Sequence, residues 1–304
     1  MAMLGIVGLG LLGSAVAGRL RAGDHDVVGY DVVDDRVRAL VALGGHAAQS
    51  AEAVAKSADA IFVVLPSLAT VEEVVLGPRG LAASGRAGQT LVQMSTISPA
   101  LTERLARAVG EKGLGFLDCP ISGASGMVAQ GEGIILVGGE RSVFDRWRPV
   151  LESIVPLAVF IGRPGQAMVL KLVANLLVAL HSAAAAEALL MAKRAGLDLG
   201  LALDVLTKSA GTSRMLEVRG PLMAKEEFPP QMKLDLFMKD LHLIQEAARS
   251  VGAPLPLTDV AERLYAVAMG AGHAGEDLAV VLKAMEALAK GVSGSGPRVS
   301  AGSA

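Results

Sequence analysis

Two side chains on an otherwise apolar segment, Lys171 and Asn175, have the spacing to do chemistry. They fall at i, i+4 in GQAMVLKLVANLLVAL, so a helix carries them on one face. Burial lowers an ammonium pKa from about 10.4 towards the 7–8 that suits general acid–base work. A neighbouring amide can orient that amine or the reacting oxygen. The same lysine can also snorkel, its stem on the core and its head in water, and both readings stay open here. A second charged pair, Lys239 and Asp240, stands among apolar residues in MKLDLFMKDLHLI. Lys239 close to Lys171 would depress its pKa further and Asp240 would raise it; a solvated surface pair is the plain alternative.

A glycine loop offers a second kind of chemistry. In GIVGLGLLGSAVAGRL, Gly8, Gly10 and Gly13 form a G-x-G-x-x-G that follows an apolar run and opens a helical pattern. In a dinucleotide-binding turn the first glycine permits the tight bend and the second lets backbone approach a pyrophosphate. The third lets the helix pack close on the strand, and the helix N-terminus adds amide donors for the phosphates. Among 36 glycines a purely structural turn also fits, but strand, turn, helix and second strand all fall in register. The second strand ends in VVGYDVVDD, which puts Asp31 18 residues after Gly13. A carboxylate there accepts from ribose hydroxyls and repels a 2′-phosphate, which favours NAD over NADP. Arg36 and Arg38 are near enough to soften that exclusion, and otherwise read as solvated residues of the next helix.

Three further segments close apolar runs, where open α/β sheets bind ligands. LPS at 65–67 brings Pro66, which can stiffen a loop, and MSTISP at 94–99 brings the hydroxyls of Ser95 and Thr96. Ordinary turn chemistry explains both equally well. The loop DCPISGASGMVAQGEG at 118–133 gathers Ser122, Gly123 and Ser125, enough hydroxyls and exposable amides to hold a carboxylate without an arginine. A glycine-rich turn is its plain reading. Cys119, with no histidine close in sequence, reads as a small core residue.

The elements that must position these residues are visible as patterns. Short apolar runs at 4–7, 27–30, 60–65, 90–94, 115–119 and 134–137 alternate with amphipathic segments at 11–22, 34–43, 70–76 and 99–109. Fully apolar strands between helices predict a parallel sheet covered on both faces. Ser98 followed by Pro99 is an N-cap and first-turn proline. From 165 to 195 one long helix is expected, and helical patterns follow at 200–208, 234–251, 257–269 and 277–289 with no strand alternation. The fold class is therefore α/β. A Rossmann-type doubly wound domain spans 1–162, a long connecting helix 163–195 and an all-helical substrate or oligomerisation domain 196–290. The small, polar tail at 291–304 is expected to be disordered.

Composition narrows the function. The 304 residues are 52% hydrophobic and carry 28 Lys and Arg against 30 Asp and Glu, a net charge of −2 that argues against nucleic acid as a partner. One cysteine precludes an intramolecular disulfide framework. His25, His46, His181, His242 and His273 are scattered without ligand spacing, so no metal is expected. The longest charge-free helical stretch, 172–186, is 15 residues and includes Asn175, His181 and Ser182, shorter than the roughly 20 apolar residues of a membrane span. No basic n-region opens the chain, and a cytoplasmic location is expected.

Together the segments resemble the β-hydroxyacid dehydrogenase family, which includes 3-hydroxyisobutyrate dehydrogenase and tartronate semialdehyde reductase. The match rests on GLGLLG at 8–13, MSTISP at 94–99, DCPISGASG at 118–126, GQAMVLKLVAN at 165–175, MKDL at 238–241 and GHAGED at 272–277. The resemblance implies that Lys171 is the catalytic acid/base, with Asn175 beside it, and that Ser122 and Gly123 grip a substrate carboxylate. It places Thr96 and Lys239 at the nicotinamide end of the cofactor and Asp240 near the substrate. The loop Gly8, Leu9, Gly10, Leu11, Leu12 and Gly13, with Asp31, Leu65 and Pro66, would hold NAD, with NADP possible. Three departures touch the substrate pocket: Ala124 where a second glycine is usual, Ala174 where an asparagine often stands, and Met232 at a frequently aromatic position. Substrates of this type are 3-hydroxyisobutyrate, glycerate with tartronate semialdehyde, threonate or a short semialdehyde, and a homodimer or homotetramer is expected. The alternatives are an imine or other carbonyl reductase of the same superfamily, and a non-catalytic dinucleotide-binding scaffold.

Overall fold

The computed structural model describes residues 2–292. The chain divides into two compact units, Met1–Ala174 and Asn175–Ala304, and the division falls inside one helix. In the first unit the order is β1 (Met3–Val7), α1 (Leu11–Ala22), β2 (Asp26–Tyr30), α2 (Asp34–Ala42), β3 (His46–Ala47), α3 (Ala51–Ser57) and β4 (Ala60–Val63). There follow α4 (Leu68–Leu76), α5 (Leu81–Ser84), β5 (Thr90–Gln93), α6 (Pro99–Gly110), β6 (Gly115–Asp118), β7 (Ile121–Ser122), α7 (Ser125–Ala129), β8 (Ile134–Gly139), α8 (Arg141–Ile154) and β9 (Ala158–Gly162). The helix α9 (Gln166–Arg194) runs on into the second unit, which adds α10 (Leu199–Leu206), α11 (Arg214–Lys225), α12 (Leu234–Ser250) and α13 (Pro256–Gly270). A 3₁₀ turn (Leu278–Val280) and α14 (Val281–Val292) complete it.

The sheet order is β3-β2-β1-β4-β5-β6-β8-β7, with β9 paired to β8. Strands β1 to β6 are mutually parallel, and Val7 pairs with both Tyr30 and Val63. Strand order reverses at β1, so the carboxyl ends of β1 and β4 flank the switch point where such sheets bind ligands. Alternation along the strands sends side chains to two separate cores. Leu4, Ile6, Ala60 and Phe62 pack with α1 and α8, through Val16, Leu20, Trp147 and Leu151. Val7, Ile61 and Val63 pack with α3 to α6, through Val54, Val71, Leu81, Leu101 and Leu105. Each buried Val, Leu, Ile or Phe among them contributes roughly 1.5–3 kcal/mol by burial. Strands covered on both faces have no polar side, which is why they read as unbroken apolar runs.

The expected parallel sheet is present from β3 to β6, and beyond β6 the sheet becomes mixed. β8 runs antiparallel to β6, and β7 antiparallel to β8. The residues between β6 and β8 form β7 and the short α7 instead of a full crossover helix, so β8 returns from the opposite end. Five helices were not expected from the patterns: the short α3, α5 and α7, and the longer α8 and α11, each of which contains a proline, Pro149 and Pro221, that masks it. Within the described residues the second unit has no strand, only an isolated bridge between Lys233 and Asp277. The tail expected at 291–304 lies outside the described residues except for Gly291 and Val292, which are helical and close α14, contrary to the expected disorder there.

Among the described residues one helix, α9, is long and apolar enough to cross a membrane by length and composition, with mean hydropathy 1.7 over its most apolar window. It buries Ala167, Met168, Lys171, Leu172, Asn175, Ala179, Ser182 and Ala186 within the fold, so part of its apolar surface has a protein partner.

Candidate active site

The glycine loop leaves β1 as its spacing requires. Gly8 has φ +96°, and a Cβ there would lie 2.1 Å from the Val64 carbonyl oxygen. A Cβ on Gly13 would lie 1.9 Å from the Gly8 carbonyl oxygen, so α1 can approach its own loop only without a side chain. Around Gly10 the reverse holds: a Cβ would meet nothing within 4 Å, so the backbone there faces open space. The α1 ladder begins with Ser14 N–H on Gly10 C=O at 2.8 Å, ahead of which stand the first-turn amides of Leu11, Leu12 and Gly13.

Asp31 follows β2 and is buried, and its two oxygens organise the loop. Oδ2 accepts from the Leu9 amide at 2.7 Å and Oδ1 from the Val33 amide at 2.9 Å. Arg36 stands exposed on the first turn of α2, as a solvated residue of that helix, and its guanidinium also meets Asp31 Oδ1 at 3.2 Å and Oδ2 at 3.3 Å. Arg38 pairs with Asp35 on the exposed face of α2.

The segment after β4 is pinned by the segment after β5. Ser95 Oγ accepts from the Leu65 amide at 2.8 Å. The buried Gln93 side chain brackets Ser95, accepting from its N–H at 2.8 Å and donating to its carbonyl at 2.7 Å. Ser95 thus fixes the Leu65–Pro66 turn, and Thr96 follows it directly. Ser67 is the N-cap of α4, accepting from Thr70 N–H at 3.1 Å, and Ser98 caps α6 through Leu101 N–H at 3.2 Å. Such caps stabilise a helix by roughly 1 kcal/mol each.

Beyond β6, Ser122 pairs with Ile134 in the two-residue β7, and Gly123 and Ala124 lead into α7. Cys119 is fully buried; burial and the neighbouring Asp118 push its thiol well above the usual range, which fits a core residue and not a nucleophile. Asp118 is also fully buried. Its Oδ2 accepts from Gly165 N–H and Met168 N–H, each at 3.1 Å, and burial raises its carboxyl to about 7.

Lys171 is 7% exposed, which selects the buried over the snorkelling reading. In the second unit Asn175 Nδ2 donates to Asp240 Oδ2 at 2.8 Å, and Lys239 Nζ lies 3.4 Å from Asp240 Oδ1. Asp240 is buried and so joins the other two members of its cluster. Met232 is held through its backbone, its N–H on Asp277 Oδ2 at 2.9 Å and its C=O on Leu278 N–H at 3.1 Å. Asp277, fully buried, also takes Arg219 Nε at 3.0 Å.

In the first unit the predicted residues of the glycine loop, Asp31, Leu65, Pro66, Thr96 and Ser122–Ala124 all follow carboxyl ends of β1, β2, β4, β5 or β6. A cleft of about 500 Å³ at the opposite strand ends, lined by Gly88, Thr90, Gly115, Glu140 and Arg146, contains none of them. Sequence patterns missed Asp118, Gln93, Arg219 and Asp277 as organisers. A charged or amide side chain inside an apolar run is the signal that could have found the first two. Among the described residues no group of three or more His, Cys, Asp or Glu side chains could hold a metal ion.

Comparisons with known proteins agree with this layout. Residues 3–162 match the NAD binding domain of 6-phosphogluconate dehydrogenase, and residues 165–285 match the NAD-binding model of NADP-dependent 3-hydroxyisobutyrate dehydrogenase. The chain is 34% identical over 288 residues to 2-hydroxy-3-oxopropionate reductase of Escherichia coli K12, covering 94% of this chain and 98% of that one. The solved 3-hydroxyisobutyrate dehydrogenase of Salmonella typhimurium is 34% identical with TM-score 0.85, over 93% of this chain and 99% of that one. The structure of Psf3 with NADP+ and 2-OPP is 26% identical with TM-score 0.86, over 93% and 99% of the two chains. NAD or NADP is thereby the cofactor class.

Proposed function

Because the chain belongs to the β-hydroxyacid dehydrogenase family, we propose that it interconverts a small hydroxy acid and its carbonyl counterpart, with NAD favoured over NADP and Lys171 as general acid/base. The observation that carries this reading is a buried lysine one turn from a buried asparagine on α9, in a segment that matches the family motif. When bound, the nicotinamide exchanges a hydride with the carbinol carbon of the substrate. In oxidation Lys171 Nζ accepts the hydroxyl proton as the carbon–oxygen double bond forms; in reduction it returns a proton to the nascent alkoxide. Asn175, oriented by its hydrogen bond to Asp240, steadies the reacting oxygen or the amine. Ser122, Gly123 and Ala124 take the substrate carboxylate. Thr96 and Lys239 serve the nicotinamide end.

Gly8 to Gly13 with Leu65 and Pro66 hold the dinucleotide, and the open space at Gly10 supports that fit. Leu9 acts differently from its neighbours, since its amide is already given to Asp31. Asp31 supports NAD: a buried carboxylate directly follows β2, the next two residues are Val32 and Val33, and Arg36 is already paired. The substrate lies among 3-hydroxyisobutyrate, glycerate with tartronate semialdehyde, threonate and short semialdehydes, with Ala124, Ala174 and Met232 shaping the choice. We read the enzyme as cytoplasmic, and as a homodimer or homotetramer, supported by the exposed apolar row Val169, Val173 and Leu177 on α9.

Absorbance at 340 nm with NAD or NADP and a panel of hydroxy acids tests this reading. One acid should be oxidised, and Lys171→Ala should lower kcat by about 10²–10⁴-fold with NADH affinity intact. A Lys171→Ala protein as active as the parent would refute the assignment. No turnover of any acid, nor of the matching aldehydes with NADH, would refute the activity.

A further inference from the structure

We propose that Asp118 is a positioning residue, the side chain that seats the first turn of α9 and thereby places Lys171. The inference deepens the reading of Lys171 given above and rests on it. Helix α9 starts after a bend at residues 163–165 and has no capping side chain from its own sequence neighbours at the Met168 amide; that amide is taken by Asp118, 50 residues earlier in the chain. The same oxygen, Oδ2, takes the Gly165 amide, so one buried atom clamps both ends of the first turn. Oδ1 has no hydrogen-bond partner among the described residues, and so Oδ2 alone carries the clamp. The neighbouring strand is cut back to receive it. A Cβ on Gly138 would lie 3.3 Å from Asp118 Oδ2, 3.4 Å from the Ala167 Cβ and 2.8 Å from the Arg163 carbonyl oxygen.

Lys171 stands three residues beyond Met168, about 4.5 Å along the helix axis, on the adjoining face. A helix turn transmits displacement with little loss, so a shift of the clamped turn moves the lysine with it. Misplacement of a reacting group by about 1 Å can lower a rate on the order of 100-fold. An acceptor at Oδ2, on this account, is what the position requires; the two donors are main-chain amides and would donate to a neutral carbonyl oxygen as well.

Four full-length proteins test the proposal: the parent, Asp118→Ala, Asp118→Asn and Lys171→Ala. Asp118→Ala should exchange the amides of residues 165–171 faster and lose at least about tenfold in kcat. Its KM for the hydroxy acid and its affinity for NADH should stay within about twofold, because neither ligand is held by the clamp. Asp118→Asn should recover amide protection and most of kcat. Unchanged kcat in Asp118→Ala, or equal loss in both variants, would overturn the proposal. If Asp118→Ala does not fold, Gly138→Ala crowds the same turn with the acid in place, and kcat should fall there with NADH affinity kept; unaltered kcat would count against the clamp. A fully active Lys171→Ala protein would sink the acid/base reading itself, a result distinct from normal exchange at 165–171, which would sink the clamp.

Discussion

Replacing Asp118 by Asn should remove a pH dependence of stability from the first unit. Burial raises the Asp118 carboxyl from 3.8 to about 7, against the opposite pull of the Met168 and Gly165 amides. Between about pH 4 and 7 the folded state therefore keeps a proton that the unfolded chain has released. The stabilisation from this group is complete below about pH 4 and is lost as pH rises through about 7. At about 1.4 kcal/mol per pH unit, a shift of about three units amounts to about 4 kcal/mol over the whole range. Asparagine has nearly the same shape and no titration. The single tryptophan, Trp147, is buried in the same unit with its Nε1 on Thr90 Oγ1 at 2.8 Å, so its fluorescence follows unfolding of that unit. Urea titrations from about pH 5 to 8 should show the parent losing stability relative to Asp118→Asn by about 1.4 kcal/mol per unit up to about 7, then levelling. A flat difference would refute the reasoning. That flat result would mean that the two amides outweigh burial and that the acid is charged across the whole range.

Two further outcomes follow from side chains already described. Asp31→Ser removes acceptors for the Leu9 and Val33 amides and releases Arg36, so the NADP-to-NAD ratio of kcat/KM should rise roughly 10–100-fold, as loss of charge-assisted hydrogen bonds implies; a ratio left in place by steady-state kinetics would show that Asp31 does not set cofactor choice. Arg219→Met leaves the fully buried Asp277 without its cation and should destabilise the second unit by about 3–5 kcal/mol in thermal or urea unfolding. The double variant with Asp277→Asn should regain part of that loss, and a double variant no better than the single would argue against the ion pair.

The Rossmann layout is legible because strands buried on both faces leave apolar runs that no surface element imitates. Val7, Ile61 and Val63 face one core while Ile6, Ala60 and Phe62 face the other, so nothing polar interrupts them. The two-residue strands β3 and β7 are too short to show any period. Helices α8 and α11 are hidden by Pro149 and Pro221, whose lost hydrogen bonds the surrounding packing offsets. Gly8, Gly10 and Gly13 are legible as a site because local spacing alone defines the turn. The Asp31–Arg36 contact crosses a strand-to-helix bend, and the Asp118 clamp joins residues 50 apart. Such contacts exist only once the sheet has formed, and no local period records them. Ser67 and Ser95 look alike in sequence as turn hydroxyls, yet one caps α4 and the other holds the Leu65 amide.

The sealed thiol of Cys119 makes the protein a clean background for chemical labelling. It is the sole cysteine of the chain, it has no exposed surface, and its thiolate form is suppressed. Maleimide reagents act on thiolates at the surface and would pass it by. Leu43→Cys in the first unit and Val251→Cys in the second would each place a reactive group on an exposed position away from the glycine loop and α9. A donor and acceptor dye on that pair would then read the distance between the two units in solution, with and without NADH, without any native cysteine having to be removed.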